Sequence, residues 1–303
     1  MKKYLLFIVG LAVTAIYLLP LYWMYATAFK SSGEMFLYPP TLWPLAPKSH
    51  FAATFIDRQM ANYLWNSFAI AFGTTLGTVV MGTGAAYVFA QSTNRATSIA
   101  IFAVLLLQAL PSSLMVTPLF RAFQLLGLLE TPRLAVVLAQ IAKALPFFIV
   151  LCRSSFMQVP RDLRDAALVD GASPAGAFFR IVLPLAMNGI LVSAVLVFIQ
   201  SFGEYVDARS LILDDSYQTA TVGLSSYVGA TKTDWIGIMT YSSIYVTPML
   251  GVFILLQRGI VGRLTAGALG TRHRCEPQQV TEPQAQCYVG GSLPGAWTTR
   301  TRG

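Results

Sequence analysis

The chain has 303 residues, of which 55% are apolar and only 11% charged, and its mean hydropathy is +0.60. Soluble proteins carry about a quarter charged residues, so this composition excludes a soluble domain, a coiled coil and a disordered chain. The formal charge of +8, from 21 Lys+Arg against 13 Asp+Glu, has to be mapped against a bilayer before nucleic acid is considered, and three cysteines make no disulfide framework.

A bilayer core requires about 20 predominantly apolar residues per helix. Six stretches satisfy that requirement: 4–29, 67–90, 99–120, 134–152, 181–203 and 236–257. The first has signal-peptide features, with Lys2 and Lys3 in front and Ala26-Thr27-Ala28 behind. Its apolar run is much longer than the roughly 7–15 residues of a signal core, so an uncleaved helix is expected. In the second, Gly73, Gly77 and Gly84 place small residues on one side for a close neighbour. Pro111 and Pro146 interrupt the third and fourth, as structural kinks in preference to moving gates.

Between the fourth and fifth spans lie about 28 residues, Arg153 to Arg180, where a minimal helix connection needs only a few. They read as two short helices. The first opens at Pro160, carries Leu163, Ala166 and Ala167 on one face, and ends at Asp170-Gly171. The second has Ser173 as N-cap and Pro174 behind it, then Phe178 and Ile181; Pro184 stands where the chain enters the fifth span. Ala166, Ala167 and Ala172 leave room for a close contact, while Asp165, Asp170 and Arg180 can fix orientation. An interfacial helix on lipid headgroups would show a large apolar face over a Lys/Arg-rich one, so a protein partner is the better reading.

Beyond the elbow, the 207–235 loop holds Asp214, Asp215 and Asp234. After Gly270 the chain turns Gln/Pro/Thr/Gly-rich, and the 271–303 tail is expected to be disordered. His273, Cys275 and Cys287 there fit no zinc spacing. With the N-terminus inside, 13 cations and five acids fall on the inner side, and seven cations and eight acids on the outer side. Both termini are therefore expected in the cytoplasm, and the basic surplus is a topology signal, not a nucleic-acid footprint.

Asp165-Ala166-Ala167-Leu168-Val169-Asp170-Gly171-Ala172, followed by Phe178, Ile181, Leu183 and Pro184, resembles the EAA motif of binding-protein-dependent ABC importer permeases. The departure is Asp165, where that family usually has glutamate. The resemblance spans roughly residues 1–270 and points to the carbohydrate subgroup, similar to the MalG-type maltose and glycerol-phosphate permeases. Phe29-Lys30-Ser31-Ser32, Pro39-Pro40, Asn66-Ser67, Ala85-Ala86-Tyr87, Pro118-Leu119-Phe120, Leu145-Pro146-Phe147 and Leu264-Thr265-Ala266-Gly267-Ala268 fit it. Phe202-Gly203-Glu204-Tyr205 stands where the subgroup commonly reads Trp-Asn-Glu-Phe.

The resemblance implies an all-α polytopic permease, 1–270, with six membrane helices and a cytoplasmic coupling elbow at about 153–180 that docks on an ATPase subunit. It implies a second homologous permease subunit, two ATPase subunits, an extracytoplasmic solute-binding protein meeting the 207–235 loop, a sugar substrate, and a prokaryotic inner membrane. The chain has no G-x-x-x-x-G-K-[ST], so ATP and Mg belong to the partner ATPase subunits, and no cofactor, metal site or enzymatic activity is expected in the chain itself. The elbow residues expected to couple are Asp165, Ala166, Ala167, Asp170, Gly171, Ala172, Phe178, Arg180 and Pro184. Polar residues inside the spans are the pathway candidates: Gln108 beside Ser112 and Ser113, Gln140 and Lys143 on one helix face, and Gln200 and Glu204 with Ser193 on another. These groups could serve a sugar, or only join helices to one another. An ion-driven secondary transporter is the alternative, but no inverted repeat is visible and only Lys143 is clearly ionisable within a span. A non-transporting scaffold would use the elbow only for docking.

Overall fold

The structure, a computed structural model, describes residues 2–57, 59–92, 94–109, 111–229 and 233–269. The tail with His273, Cys275 and Cys287 lies outside these residues. In chain order the helices are α1 (Lys2–Ala28), α2 (Phe51–Asp57), α3 (Met60–Gln91), α4 (Arg95–Leu107), α5 (Ser112–Leu125) and α6 (Pro132–Met157). They continue with α7 (Arg161–Val169), α8 (Pro174–Ala177), α9 (Leu183–Phe202), α10 (Val206–Leu211), α11 (Ala220–Ser225) and α12 (Trp235–Leu269). Among the described residues, five helical stretches are long and apolar enough to cross a bilayer: 3–28, 60–91, 132–157, 174–202 and 235–254.

The third expected span, 99–120, is not one helix. It is divided into α4 and α5, each too short to cross alone. Pro111 has no N–H for the carbonyl four residues back, and its ring clashes with that turn. Non-helical backbone at membrane depth is tolerated where it lines a cavity, and Gln108 at this break does line one.

The core is the trio α3, α6 and α9. At one end Ala86, Ala90, Ala144, Phe148, Cys152, Phe156, Val182, Ala186 and Ile190 bury against one another. At the other, Ile70, Ala135, Val136 and Ala139 pack with Phe123 of α5 and with Ala208, Leu211 and Val222 from the segment after α9. Close approach rests on missing side chains. Gly73 faces Val137 at 3.2 Å, Gly77 faces Ile141, and Gly82 faces the Phe148 ring at 2.5 Å, all distances measured from where a Cβ would stand. Gly84, expected on the same stripe, meets only open space. Packed helices cross at an angle, so the line of contact drifts off the stripe and passes to Gly82. Between α6 and α9, Gly189 stands directly against Ser155.

The elbow forms as its sequence implies, with two differences in extent. Arg153 still belongs to α6, which runs to Met157. The second short helix does not stop before the fifth span. α8 passes through a π-helical segment, Phe178–Val182, directly into α9, so 174–202 is one continuous helix. Pro184 sits just inside α9, where the wider turn before it accommodates the missing N–H.

Candidate functional site

The elbow turn is a Schellman motif. Ala172 N–H donates to the Ala167 carbonyl at 3.0 Å and Gly171 N–H to the Leu168 carbonyl at 3.1 Å. Gly171 takes φ +86°, a conformation that only glycine adopts without strain. Ser173 caps α8, its Oγ accepting from Gly176 N–H at 3.1 Å. Asp165, Ala166, Asp170, Arg180 and Pro184 are exposed, and Val169 is 87% exposed beside them. Ala167 and Phe178 turn inward: Ala167 is buried, and Phe178 packs on Tyr87 of α3 and Phe156 of α6 at ring distances of 4.7 and 6.2 Å.

Orientation of the elbow is not set by Asp165, Asp170 and Arg180 together, as expected from sequence. The described residues hold two ion pairs, and Asp170 and Arg180 take part in neither. Arg164 does the work: it grips Asp165 at 2.6 Å and donates from its other nitrogen to Gln91 at the end of α3. Arg153 Nε donates to the Phe89 carbonyl at 3.1 Å, so two arginines tie the elbow region to one helix end.

At the far end of α9 the five pathway candidates converge. Gln108, Gln140, Lys143, Gln200 and Glu204 all line one cavity of about 330 Å³ between α5, α6, α9 and α10. Lys143 Nζ meets Asp207 Oδ1 at 2.5 Å. Asp207 is 1% exposed and Lys143 27%. Gln140 is buried and its Oε1 accepts from Thr74 Oγ1 at 3.2 Å and from Ser201 Oγ. Gln108 Nε2 donates to the Lys143 carbonyl at 3.2 Å, next to the carbonyl that Pro146 leaves without a helical donor. Glu204 accepts from the Val206 and Asp207 amides at 3.0 and 2.8 Å, holding the start of α10. Burial, reinforced by the adjacent Asp207 carboxylate, raises the Glu204 carboxyl above its ordinary value. Ser193 does not reach the cavity; it bonds back to the Gly189 carbonyl.

Asp207 is the residue that sequence reasoning missed. It lies past the end of the fifth span and counts there as one acid of a solvated loop. A signal was present: an acid three residues after Glu204, flanked by Val206 and Ala208, in a chain with so few charges. Asp234, another acid of that loop, caps the start of α12 by accepting from Gly237 N–H at 3.0 Å. Asp214 is exposed and accepts from Ser216 N–H, which lowers its carboxyl below the usual range. The loop itself is pinned from below, because Asn66 Nδ2 donates to the Ser216 and Gln218 carbonyls while its Oδ1 accepts from Arg133 at 2.7 Å.

The chain is similar to known proteins in both sequence and fold. The chain is 33% identical over 258 residues to the trehalose transport system permease protein SugB of Mycobacterium tuberculosis, covering 83% of this chain and 92% of that one. It is 31% identical over 272 residues to the trehalose/maltose transport system permease protein MalG of Thermococcus litoralis, covering 89% and 97%. Its fold matches a chain in the crystal structure of a bacterial ABC transporter involved in the import of the acidic polysaccharide alginate. There the TM-score is 0.69 at 16% identity, with coverage of 85% and 97%. Residues 78–266, which carry the elbow, the cavity and most of the helical core, match the family model of the inner membrane component of binding-protein-dependent transport systems, and the chain belongs to that family.

Proposed function

We propose that the chain is the permease of an ATP-driven importer of a sugar or sugar derivative, forming half of the translocation pathway. The observation that carries this reading is mechanical. A single helical run, 174–202, begins in the elbow and ends at the cavity, so force applied at one is delivered to the other. The cavity offers what a polyol requires: an amide, hydroxyls, an ammonium and carboxylates over an apolar wall of Leu119, Val197 and Met115. Relatives whose names specify trehalose and maltose support the carbohydrate class.

In the proposed cycle a second homologous permease completes the pathway, two ATPase subunits dock beneath the elbows, and an external binding protein delivers the solute. ATP and Mg act in those ATPase subunits. This chain supplies the docking surface of Asp165, Ala166 and Asp170, the turn held by Gly171 and Ala172, and the anchor at Phe178. Closure of the ATPase dimer moves the elbow and tilts α9 against α3 and α6, opening the cavity to alternate sides. Both termini and the elbow face the cytoplasm, in keeping with the basic surplus on that side. Uptake into proteoliposomes tests the reading with labelled trehalose and maltose as probes. Transport that requires ATP, the ATPase subunits and the binding protein is expected. Transport driven by a proton or sodium gradient alone would overturn it.

A further inference from the structure

Asp207 is fully buried, yet only one of its carboxylate oxygens is engaged. Oδ1 holds Lys143, while Oδ2 has no hydrogen-bond partner. A buried carboxylate oxygen without a donor is costly, and Asp207 lines the cavity. That oxygen calls for a hydrogen-bond donor arriving from the cavity. Lys143, the one cation among the lining residues, already has its charge matched by Asp207. With Glu204 ionised, the three charged lining residues sum to −1; with it protonated they sum to zero. In neither state does the cavity hold a spare cation for an anionic group.

We propose that the Lys143–Asp207 pair makes this cavity a charge filter, accepting solutes that present hydroxyl or ammonium donors to Asp207 Oδ2 and refusing carboxylated, phosphorylated or sulfated ones. The proposal rests on the reading of the cavity as part of the pathway and narrows its substrate class to neutral and amino sugars. Exclusion follows because an anionic group would lose water without meeting an unmatched cation, with Coulomb repulsion added when Glu204 is ionised, and acceptance follows from the missing donor.

The test uses the intact reconstituted complex with Met115→Cys as a reporter in the cavity wall, after Cys152→Ala, Cys275→Ser and Cys287→Ser. Labelling rates are measured with a cationic trimethylammonium-ethyl and an anionic sulfonatoethyl methanethiosulfonate, each scaled to its rate with a simple thiol. The cationic reagent is expected to be faster by about tenfold, and Asp207→Asn to shrink that ratio severalfold. Equal rates, or a faster anion, would overturn the filter. Should Asp207→Asn fail to assemble, Gln200→Lys, at an exposed lining position, is expected to reverse the preference; an unchanged ratio overturns the proposal. Protection separates the donor chemistries. Trehalose and glucosamine at equal concentration are each expected to slow labelling, and glucuronate is not. Protection by glucuronate equal to trehalose, or by none of the three, defeats it. Labelling requires no transport, so failed uptake counts against the importer reading alone.

Discussion

The elbow and the cavity are held together over very different distances along the chain. The elbow turn closes through bonds spanning three to five residues, Gly171 to Leu168 and Ala172 to Ala167. The cavity closes through partners 35 to 66 residues apart: Gln108 with Lys143, Ser201 with Gln140, Lys143 with Asp207, and Thr74 with Gln140. The elbow also turns Ala166 and Val169 outward, whereas the cavity buries Gln140 and Asp207. A segment that must present a fixed shape to another molecule is stabilised locally. A site that must stay open inside a bundle is stabilised by everything around it. Damage at the cavity should therefore appear as lost stability, and damage at the elbow as lost coupling.

Asp207→Ala probes this contrast with the largest expected effect. It strands Lys143, and thermal unfolding in detergent should show a loss of about 2 kcal/mol, below the ~3–5 kcal/mol of a fully buried pair because Lys143 keeps some water. The double variant Lys143→Met, Asp207→Leu should recover most of that stability without recovering uptake. Gly189→Ala comes next. Its new methyl would collide with Ser155, prising α6 from α9 at a cost of about 1–3 kcal/mol, and Ser155→Gly should restore the melting temperature. Gly171→Val costs about 1–2 kcal/mol of local strain, because its φ is wrong for any Cβ although the space around it is free. Membrane insertion should survive while ATP-dependent uptake is lost. A Gly171→Val complex less stable than Asp207→Ala, or one that transports normally, would break the comparison. Arg164→Met is the mildest, below about 1 kcal/mol, as expected for an exposed ion pair. Uptake should fall severalfold as the elbow loses Gln91, and the ratio of ATP hydrolysed to sugar moved should rise.

The same contrast explains what the sequence made legible. Elbow capping follows local rules, so Gly171, Ser173 and Pro174 announce their roles in order and the structure places each as those rules require, while Pro160, expected at the first helical position, stands one residue earlier as the N-cap. Polar residues inside apolar spans are rare enough to stand out, and the five singled out on that ground line one cavity. Their partners were not legible, because nothing local links Lys143 to an aspartate 64 residues later. The broken third span was half visible: Pro111 announced an interruption, but not that the chain would divide into two separate helices there. The α8–α9 junction was hidden for a related reason. Ser173 and Pro174 read as the start of a short helix, and its continuation through a π-helical segment depends on Phe178 finding Tyr87 and Phe156, neither of which is near it in sequence.

That junction gives the fold a lever arm. The 29 residues from Pro174 to Phe202 form one unbroken helical stretch about 43 Å long, which passes through the π-helical segment just before Pro184. Pivoting about its middle by about 10° would carry each tip about 4 Å, by rod geometry. A flexible joint at the same place would have absorbed that travel in bending. The wide turn at Phe178–Val182 thus reconciles two needs: it makes room for Pro184, and it keeps the helix continuous from the elbow to the cavity.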